Sequence, residues 1–470
     1  MPEPGATLDL SGRTRVHLVG VAGAGMSAIA EVLLAMGHTV SGSDAAGGKA
    51  LERLRDLGAD VRVGHDPAAV EGVDVVAVST AVPPTDPEVA AAVQRGITVA
   101  RRSEILAGIC RQKRTIGVSG THGKTSTAAM LSILLRHAGL SPSLIVGGDI
   151  VGLGNGAVWD PAGEWMVVEA DESDGTFLEL GCEAVVVTSV GPDHLDYFGT
   201  FDGVEAAFRR FVSEAPGPAV LCADDAGAAA LAPVIPPDRS MTYGVAPLAR
   251  YQVSGVSLRR FGAQFVLSDA RQELEGRCEI AVPGMHNVLN ATAAVVAAVS
   301  IGVEWGDALQ GIAAYRGVGR RFELRGERAG VTFVDDYAHN PEKVAAALEA
   351  ARDGGWERIV AVFQPHRFTR TQALWKQFGP ALAGADVLIV TDVYAAGEQP
   401  IPGISGELIA RAVKEASPRS DVRYEPSLDD AARVLSELLR PGDLCLTMGA
   451  GDVTTLPARL IDAGEGSVGG

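Results

Sequence analysis

Blocks of apolar and polar positions alternate along this chain, and the same rhythm starts three times. Residues 16–19, VHLV, predict a buried strand; the loop GVAGAG follows, then helical spacing over 27–36 and a second strand over 39–43 that ends at Asp44. The pattern continues through 73–79 and fades near Gly108. A basic run at 111–114 leads into a strand over 115–118, another glycine loop and a long helical pattern over 124–137. Further strands at 165–168 and 184–188 and a helix carrying His286 and Asn290 complete that second section. After Arg320 and Arg321 the rhythm restarts, with strands over 331–334, 358–363, 386–391 and 444–448 and helical stretches between them. Section 230–280, rich in Pro, Val and Ser, predicts a β-rich insertion, and the glycines of 464–470 predict a loose end. The expected fold is therefore α/β in three domains, 1–110, 111–320 and 321–470, the first and third Rossmann-like and the central one a P-loop ATPase.

Composition agrees with several cores: 470 residues, 47% of them hydrophobic, at roughly 150 residues per domain give about three. The formal net charge of −18, from 40 Lys+Arg against 58 Asp+Glu, repels polyphosphate backbones and argues against nucleic-acid binding as the main task. Any phosphate has to be held locally, by loops and a few basic residues. The five cysteines are scattered without a C-x-x-C spacing, which predicts reduced thiols and no structural zinc. The start MPEPGATLDLSGRTRVHLVG has no basic stretch before an apolar run. The small-apolar run 291–303 is broken by Ser300 and Gly302 and is too short for a bilayer, so a soluble cytoplasmic protein without a membrane partner is expected.

The segment IGVSGTHGKTS leaves a strand and opens a helix. It sets Gly120, Thr121, His122, Gly123, Lys124, Thr125 and Ser126 where backbone N–H groups and the helix dipole meet an anion. Lys124 can reach terminal phosphates and Thr125 can offer its hydroxyl oxygen to Mg²⁺, although Val118 stands where the usual P-loop has its first glycine. A P-loop needs a carboxylate for its metal, and WMVVEADESDG clusters Glu169, Asp171, Glu172 and Asp174 at the end of the next strand. In VVVTSVGPDHLDYFG, Asp193, His194 and Asp196 follow another apolar strand, which makes His194 a candidate second metal ligand. The N-terminal loop offers Gly20, Gly23 and Gly25, with Ser27 at the helix start and Asp44 closing the second strand. A pyrophosphate and a ribose are what such a loop binds, and both NAD and a UDP-sugar carry them. QPHRFTRT places His366, Arg367 and Arg370 after a strand, with arginines suited to a carboxylate or a phosphate.

The ordered series GTHGKTS, EADESDGTF, DHLDYF, GMHNVLNATAA, GRRFE, DDYAHNP, QPHRFTRT, DVYAAGE and GAGD, spread over nearly the whole chain, resembles the Mur ligases of peptidoglycan assembly. Within that family the resemblance is greatest to the branch that joins L-alanine to UDP-N-acetylmuramate. It implies a UDP-binding domain, a central ATPase domain and a third domain that closes over the site. It also implies a reaction in which ATP phosphorylates the substrate carboxylate and the amine of L-alanine attacks the acyl phosphate. Carried over by motif, Lys124 meets the β- and γ-phosphates, Thr125 and Glu169 the first Mg²⁺ and His194 the second; Asn290 meets adenine, and Arg321, Asp336 and Tyr337 complete the ATP site. Gly23, Ala24, Gly25, Met26, Ser27 and Asp44 are assigned to the UDP-sugar, and His339, His366, Arg367 and Arg370 to the amino acid. The expected catalytic set is Lys124, Glu169, His194, His339 and Arg370, in a monomer or homodimer.

The chain departs from the family pattern in two places. Several related ligases carry a lysine beyond the D-H motif as a metal ligand, whereas 197–215 holds Arg209 and Arg210 but no lysine, and Gly191 stands where an acidic residue is common. The competing readings are a ligase for a recycled murein peptide or another amino acid, an NAD-dependent oxidoreductase, and an ATP-hydrolysing switch.

Overall fold

The computed structural model describes residues 8–462, so the glycine-rich end at 464–470 lies outside the described residues. Three sheets correspond to the three starts in the sequence. The first has five parallel strands in the spatial order Asp60–Val63, Thr39–Asp44, Arg15–Val19, Val75–Val78 and Thr98–Arg101. Its order reverses at the central strand Arg15–Val19, and the first glycine loop follows that strand's C-terminal end, the place where open parallel sheets bind ligands. The helix after this loop runs Ala24–Ala35, three residues earlier than 27–36, because Gly23 already has the extended conformation of a helix cap.

The central sheet has ten strands. Its core runs Ala219–Cys222, Ala184–Val187, Arg114–Ser119, Trp165–Glu169 and Ser143–Ile145, all parallel, with Arg114–Ser119 in the middle. These strands are almost wholly buried, as parallel strands covered on both faces must be. The β-rich expectation for 230–280 is met by Ser240–Gly244, Tyr251–Arg259, Gly262–Asp269 and Leu274–Ile280, which extend one edge of this sheet. The helix Lys124–His137 packs against Trp305–Ile312, where a Cβ on Gly311 would come within 3.2 Å of Leu134.

The third sheet has six strands in the order Glu323–Arg328, Val331–Asp336, Asp443–Met448, Arg358–Phe363, Val387–Val390 and Asp421–Tyr424, parallel except for the first. Phe363 and Phe378 pack in its core with ring centroids 4.9 Å apart. The strands that sequence patterning does not single out, such as Asp60–Val63, Thr98–Arg101 and Asp421–Tyr424, are four residues long and each leaves residues exposed. Such short, half-wetted strands carry little apolar signal. The chain forms two compact units. One contains residues up to Gly255 with Phe265–Cys278 and Leu289–Tyr315; the other contains Val256–Gln264, Glu279–Val288 and the chain from Arg316 on. All five cysteines are buried and unbridged. Among the described residues no helix is long and apolar enough to cross a membrane.

Candidate functional site

The P-loop forms the turn between the strand Arg114–Ser119 and the helix Lys124–His137. Two of its glycines are required there. At Gly120, with φ +134°, a Cβ would stand 2.9 Å from the backbone of Ser189. At Gly123, the left-handed cap of the helix with φ +83°, a Cβ would collide with the Asn290 side-chain oxygen. Asn290, buried near the start of the helix Met285–Ser300, thus lies directly against the loop. The loop is tied to the neighbouring strand end: the His122 N–H donates to Ser189 Oγ at 3.0 Å and the Gly191 N–H to Thr121 Oγ1 at 2.8 Å. Gly191, the departure from the family pattern, therefore contributes its backbone to the loop's shape.

Lys124 Nζ donates to both oxygens of Glu172, at 2.8 and 2.9 Å, and to the Gly120 carbonyl at 2.8 Å. Burial by itself would discharge this ammonium. The surrounding carboxylates of Glu172, Asp171 and Glu169 outweigh burial and raise its pKa, so it stays charged. Thr125 Oγ1 donates to Glu169 Oε1 at 2.9 Å, and the other Glu169 oxygen accepts from the Gly147 N–H at 2.7 Å. Glu169 is therefore the carboxylate beside the P-loop hydroxyl. His194 is elsewhere: its Nε2 lies 3.8 Å from Glu172 and 3.7 Å from Asp193.

The structure thus separates two candidate metal positions. Thr125 with Glu169 forms one, and Asp171, Glu172 and His194, whose ligating atoms all lie within 4.8 Å of one another, form the second. Oxygen donors dominate both, which suits Mg²⁺. Glu172 is a residue that motif reading left without a role. Four carboxylates in EADESDG look alike in sequence, and only the turn after the strand decides which of them faces Lys124. His194 sits at φ +55°, a left-handed conformation uncommon outside glycine and often found where a side chain must be aimed.

In the N-terminal sheet the loop residues 23 and 24 are exposed, while Met26 and Ser27 turn inward. The Ser27 hydroxyl donates to the Ala24 carbonyl at 3.1 Å, inside the first helical turn. Asp44 braces the loop: one oxygen accepts from the Ala22 N–H at 2.9 Å and the other from the Ala46 N–H at 3.2 Å. The outward edge of this site is backbone at 23–25, a surface suited to phosphate oxygens.

The C-terminal unit collects its own group at the ends of Val331–Asp336, Arg358–Phe363 and Asp443–Met448, which are neighbours in the sheet. Arg320, held at φ +59°, donates to Asp335 and to the carbonyls of Gly449, Ala450 and Gly451, so it ties the GAGD loop to the start of this unit. Arg320 and Arg321 lie over the Tyr337 ring, at 5.1 and 5.5 Å from its centroid. The Asp336 carboxylate is taken up by the N–H groups of Phe322 and Ala338, at 2.8 and 2.7 Å, and so shapes the turn that presents Tyr337.

His339 Nδ1 is 2.8 Å from the Tyr337 carbonyl. A carbonyl only accepts, so Nδ1 carries the hydrogen and Nε2 keeps its lone pair. Burial, with the charges of Lys343 and Arg370, pushes its pKa down to about 3, which leaves a neutral imidazole. His366 stacks on Tyr394 with centroids 5.8 Å apart, and Arg370 Nη1 approaches its Nδ1 at 3.2 Å. Burial, then the charges of Arg370 and Arg367, lower its pKa as well. Arg367 caps the helix Phe368–Leu382 with φ +72°. Tyr394, from the DVYAAGE motif, is a second residue that sequence reading left unassigned; the stacking on His366 brings it in.

His339, His366, Arg370 and Tyr394 thus form one cluster in the C-terminal unit, and Lys124, Thr125, Glu169, Glu172, His194 and Asn290 form another around the P-loop. Comparison with known proteins follows the same division. Residues 15–114 match the family model described as Mur ligase family, catalytic domain; 118–298 match the Mur ligase middle domain; 320–451 match the Mur ligase, glutamate ligase domain. A protein of Kineococcus radiotolerans named UDP-N-acetylmuramate--L-alanine ligase is 46% identical, over 97% of this chain and 98% of its own length. Its namesake in Anaeromyxobacter dehalogenans is 43% identical over 97% and 99%. Among solved structures, the UDP-N-acetylmuramate-alanine ligase of Thermotoga maritima superposes with a TM-score of 0.82 at 27% identity, covering 97% of this chain and all of that one. With the P-loop, its carboxylates and the third sheet all in place, and with matches running end to end through the described residues, the chain belongs to the Mur ligase family.

Proposed function

We propose that this protein is an ATP-dependent ligase that adds L-alanine to UDP-N-acetylmuramate, the first amino-acid step of the peptidoglycan stem peptide. The observation that carries the reading is the Lys124–Glu172 ion pair on the P-loop, beside Thr125 and Glu169, in a chain 46% identical to a ligase of that name. The domains proposed are 1–110 for the sugar nucleotide, 111–320 for ATP and 321–470 for the amino acid. NAD-dependent oxidation leaves the P-loop and its carboxylates without a task.

In the proposed reaction an oxygen of the muramate carboxylate attacks the γ-phosphorus of ATP and ADP leaves. The amine of L-alanine then attacks the acyl carbon, a tetrahedral intermediate expels phosphate, and the nitrogen loses its proton to give the amide. Phosphate leaves readily where hydroxide does not. Lys124 exchanges Glu172 for the β- and γ-phosphate oxygens, so its charge meets the charge that builds during transfer. Mg²⁺ at the Thr125–Glu169 and Asp171–Glu172–His194 positions would neutralise further oxygen charge. Asn290 borders the adenine. Arg370 receives the carboxylate of L-alanine, and the Nε2 lone pair of His339 accepts a hydrogen bond from its nitrogen.

The enzyme works in the cytoplasm, where both nucleotides are made, as a monomer or homodimer. The test is phosphate release with Mg²⁺-ATP and UDP-N-acetylmuramate, with and without L-alanine, alongside mass detection of the product. Release that requires all three substrates and yields the alanyl adduct is the expected result. Release indifferent to L-alanine would point to an ATP-hydrolysing switch and end this reading.

A further inference from the structure

We propose that Arg102 is the cation that holds the diphosphate of the sugar nucleotide, a task no residue of the glycine loop itself can perform. The inference rests on the reading of the N-terminal loop as the UDP-sugar site. In a chain of net charge −18, residues 20–27 contain no lysine or arginine, and Asp44, which braces the loop, is spent on backbone N–H groups. A doubly charged diphosphate held by backbone amides alone would meet an unfavourable field. The missing charge comes from 77 residues further along.

Arg102 opens the helix Arg102–Cys110, which packs against Ala24–Ala35. The two nitrogens of its guanidinium fork are divided. Nη1 lies over the glycine loop, where a Cβ on Gly25 would come within 2.9 Å of it, and Nη2 pairs with Asp174 Oδ2 at 3.2 Å. Gly25 therefore leaves room for a guanidinium at the N-terminal end of Ala24–Ala35. A planar fork in that position can take two phosphate oxygens at once. The arginine is 21% exposed, so a ligand can reach it. Asp174 does not depend on it: its other oxygen accepts from the Thr176 N–H at 3.0 Å. In the free protein Asp174 thus stands in for the anion, and the diphosphate displaces it.

Arg101 serves as a charge-matched control, because it pairs with Glu104 and Glu179 instead. The experiment is calorimetric titration of the full chain with UDP, uridine and a non-hydrolysable ATP analogue, comparing wild type, Arg102→Ala, Arg102→Lys and Arg101→Ala, each checked for an unchanged melting curve. Arg102→Ala is expected to weaken UDP about ten- to a hundredfold, the loss of a charge-assisted bond, with Arg102→Lys in between. Uridine and the ATP analogue bind as in wild type, and so does UDP to Arg101→Ala. UDP binding unchanged in Arg102→Ala, or an equal loss for uridine, would overturn the assignment. A wild-type protein that binds no UDP at all would instead remove the sugar-nucleotide reading from which the assignment starts.

Discussion

Lys124 shows how one residue is kept charged where burial opposes it. Three carboxylates surround it, and the nearest, Glu172, pairs with it directly. Replacing it with alanine leaves Glu172 without its cation and the transferring phosphate without a counter-charge. Turnover is expected to fall about a hundredfold or more, with the loss in kcat, read by phosphate release. His286 presents the opposite case. Burial, with the nearby charge of Arg321, pushes its pKa from 6.5 down to about 4, so the folded protein holds it neutral. A depressed folded pKa gives stability that is fully present above the unfolded value and lost as pH falls through the folded one. The C-terminal unit should therefore lose up to about 3 kcal/mol between about pH 6.5 and pH 4 from this residue alone. His286→Gln should flatten that limb in urea titrations at the two pH values. An unchanged limb would assign the acid sensitivity to other groups, of which His339 is the first to examine.

At the scale of elements, each sheet presents its chemistry at strand ends, and buried polar groups fix how neighbouring elements meet. In the first sheet the helix Pro87–Gln94 inserts Glu88 beneath the strands. There it pairs with His17 at 3.3 Å, accepts from the Asp66 N–H at 2.9 Å and bonds Ser43. Burial pushes its carboxyl up, but His17, Ser43 and the Asp66 N–H overcome this and bring the pKa down to about 2. Its contribution is present above the ordinary glutamate value of 4.5 and is lost as pH falls towards about 2. Glu88→Gln should cost about 2–3 kcal/mol near neutral pH. The gap in urea midpoint between it and wild type should narrow steadily as pH is lowered from about 5. A gap that does not change with pH would mean that the charge of Glu88 contributes nothing. Elements of this kind leave a weak mark in sequence: Glu88 follows Pro87 and reads as an ordinary first-turn acid, and nothing local tells of His17, 71 residues away.

Two compact units in one chain make unfolding as a single two-state step an unsuitable description. The P-loop group lies in the first unit and the His339 group in the second, so a ligand of one should stabilise its own unit most. Mg²⁺-ATP at a hundredfold excess over its dissociation constant should add about 2.7 kcal/mol to the unit that binds it. Scanning calorimetry should show that transition moving up with nucleotide while the other lags. Equal movement of every transition would mean that the units unfold together.

Sequence alone determined the α/β class, the three starts, the P-loop and the family, because each is written in local order: apolar runs of strand length, glycines where a left-handed or crowded backbone is needed, and motifs of fixed spacing. The residues of QPHRFTRT and DDYAHNP were legible for the same reason. Only the tertiary structure decided that Glu172, and not its neighbours, receives Lys124, that Tyr394 stacks on His366, that Met26 and Ser27 face inward, and that Arg102 lies over Gly25. Each of these is a contact between segments far apart in the chain or a choice between chemically similar neighbours. Such choices are settled by packing and by the field of surrounding charges, which a string of residues does not carry.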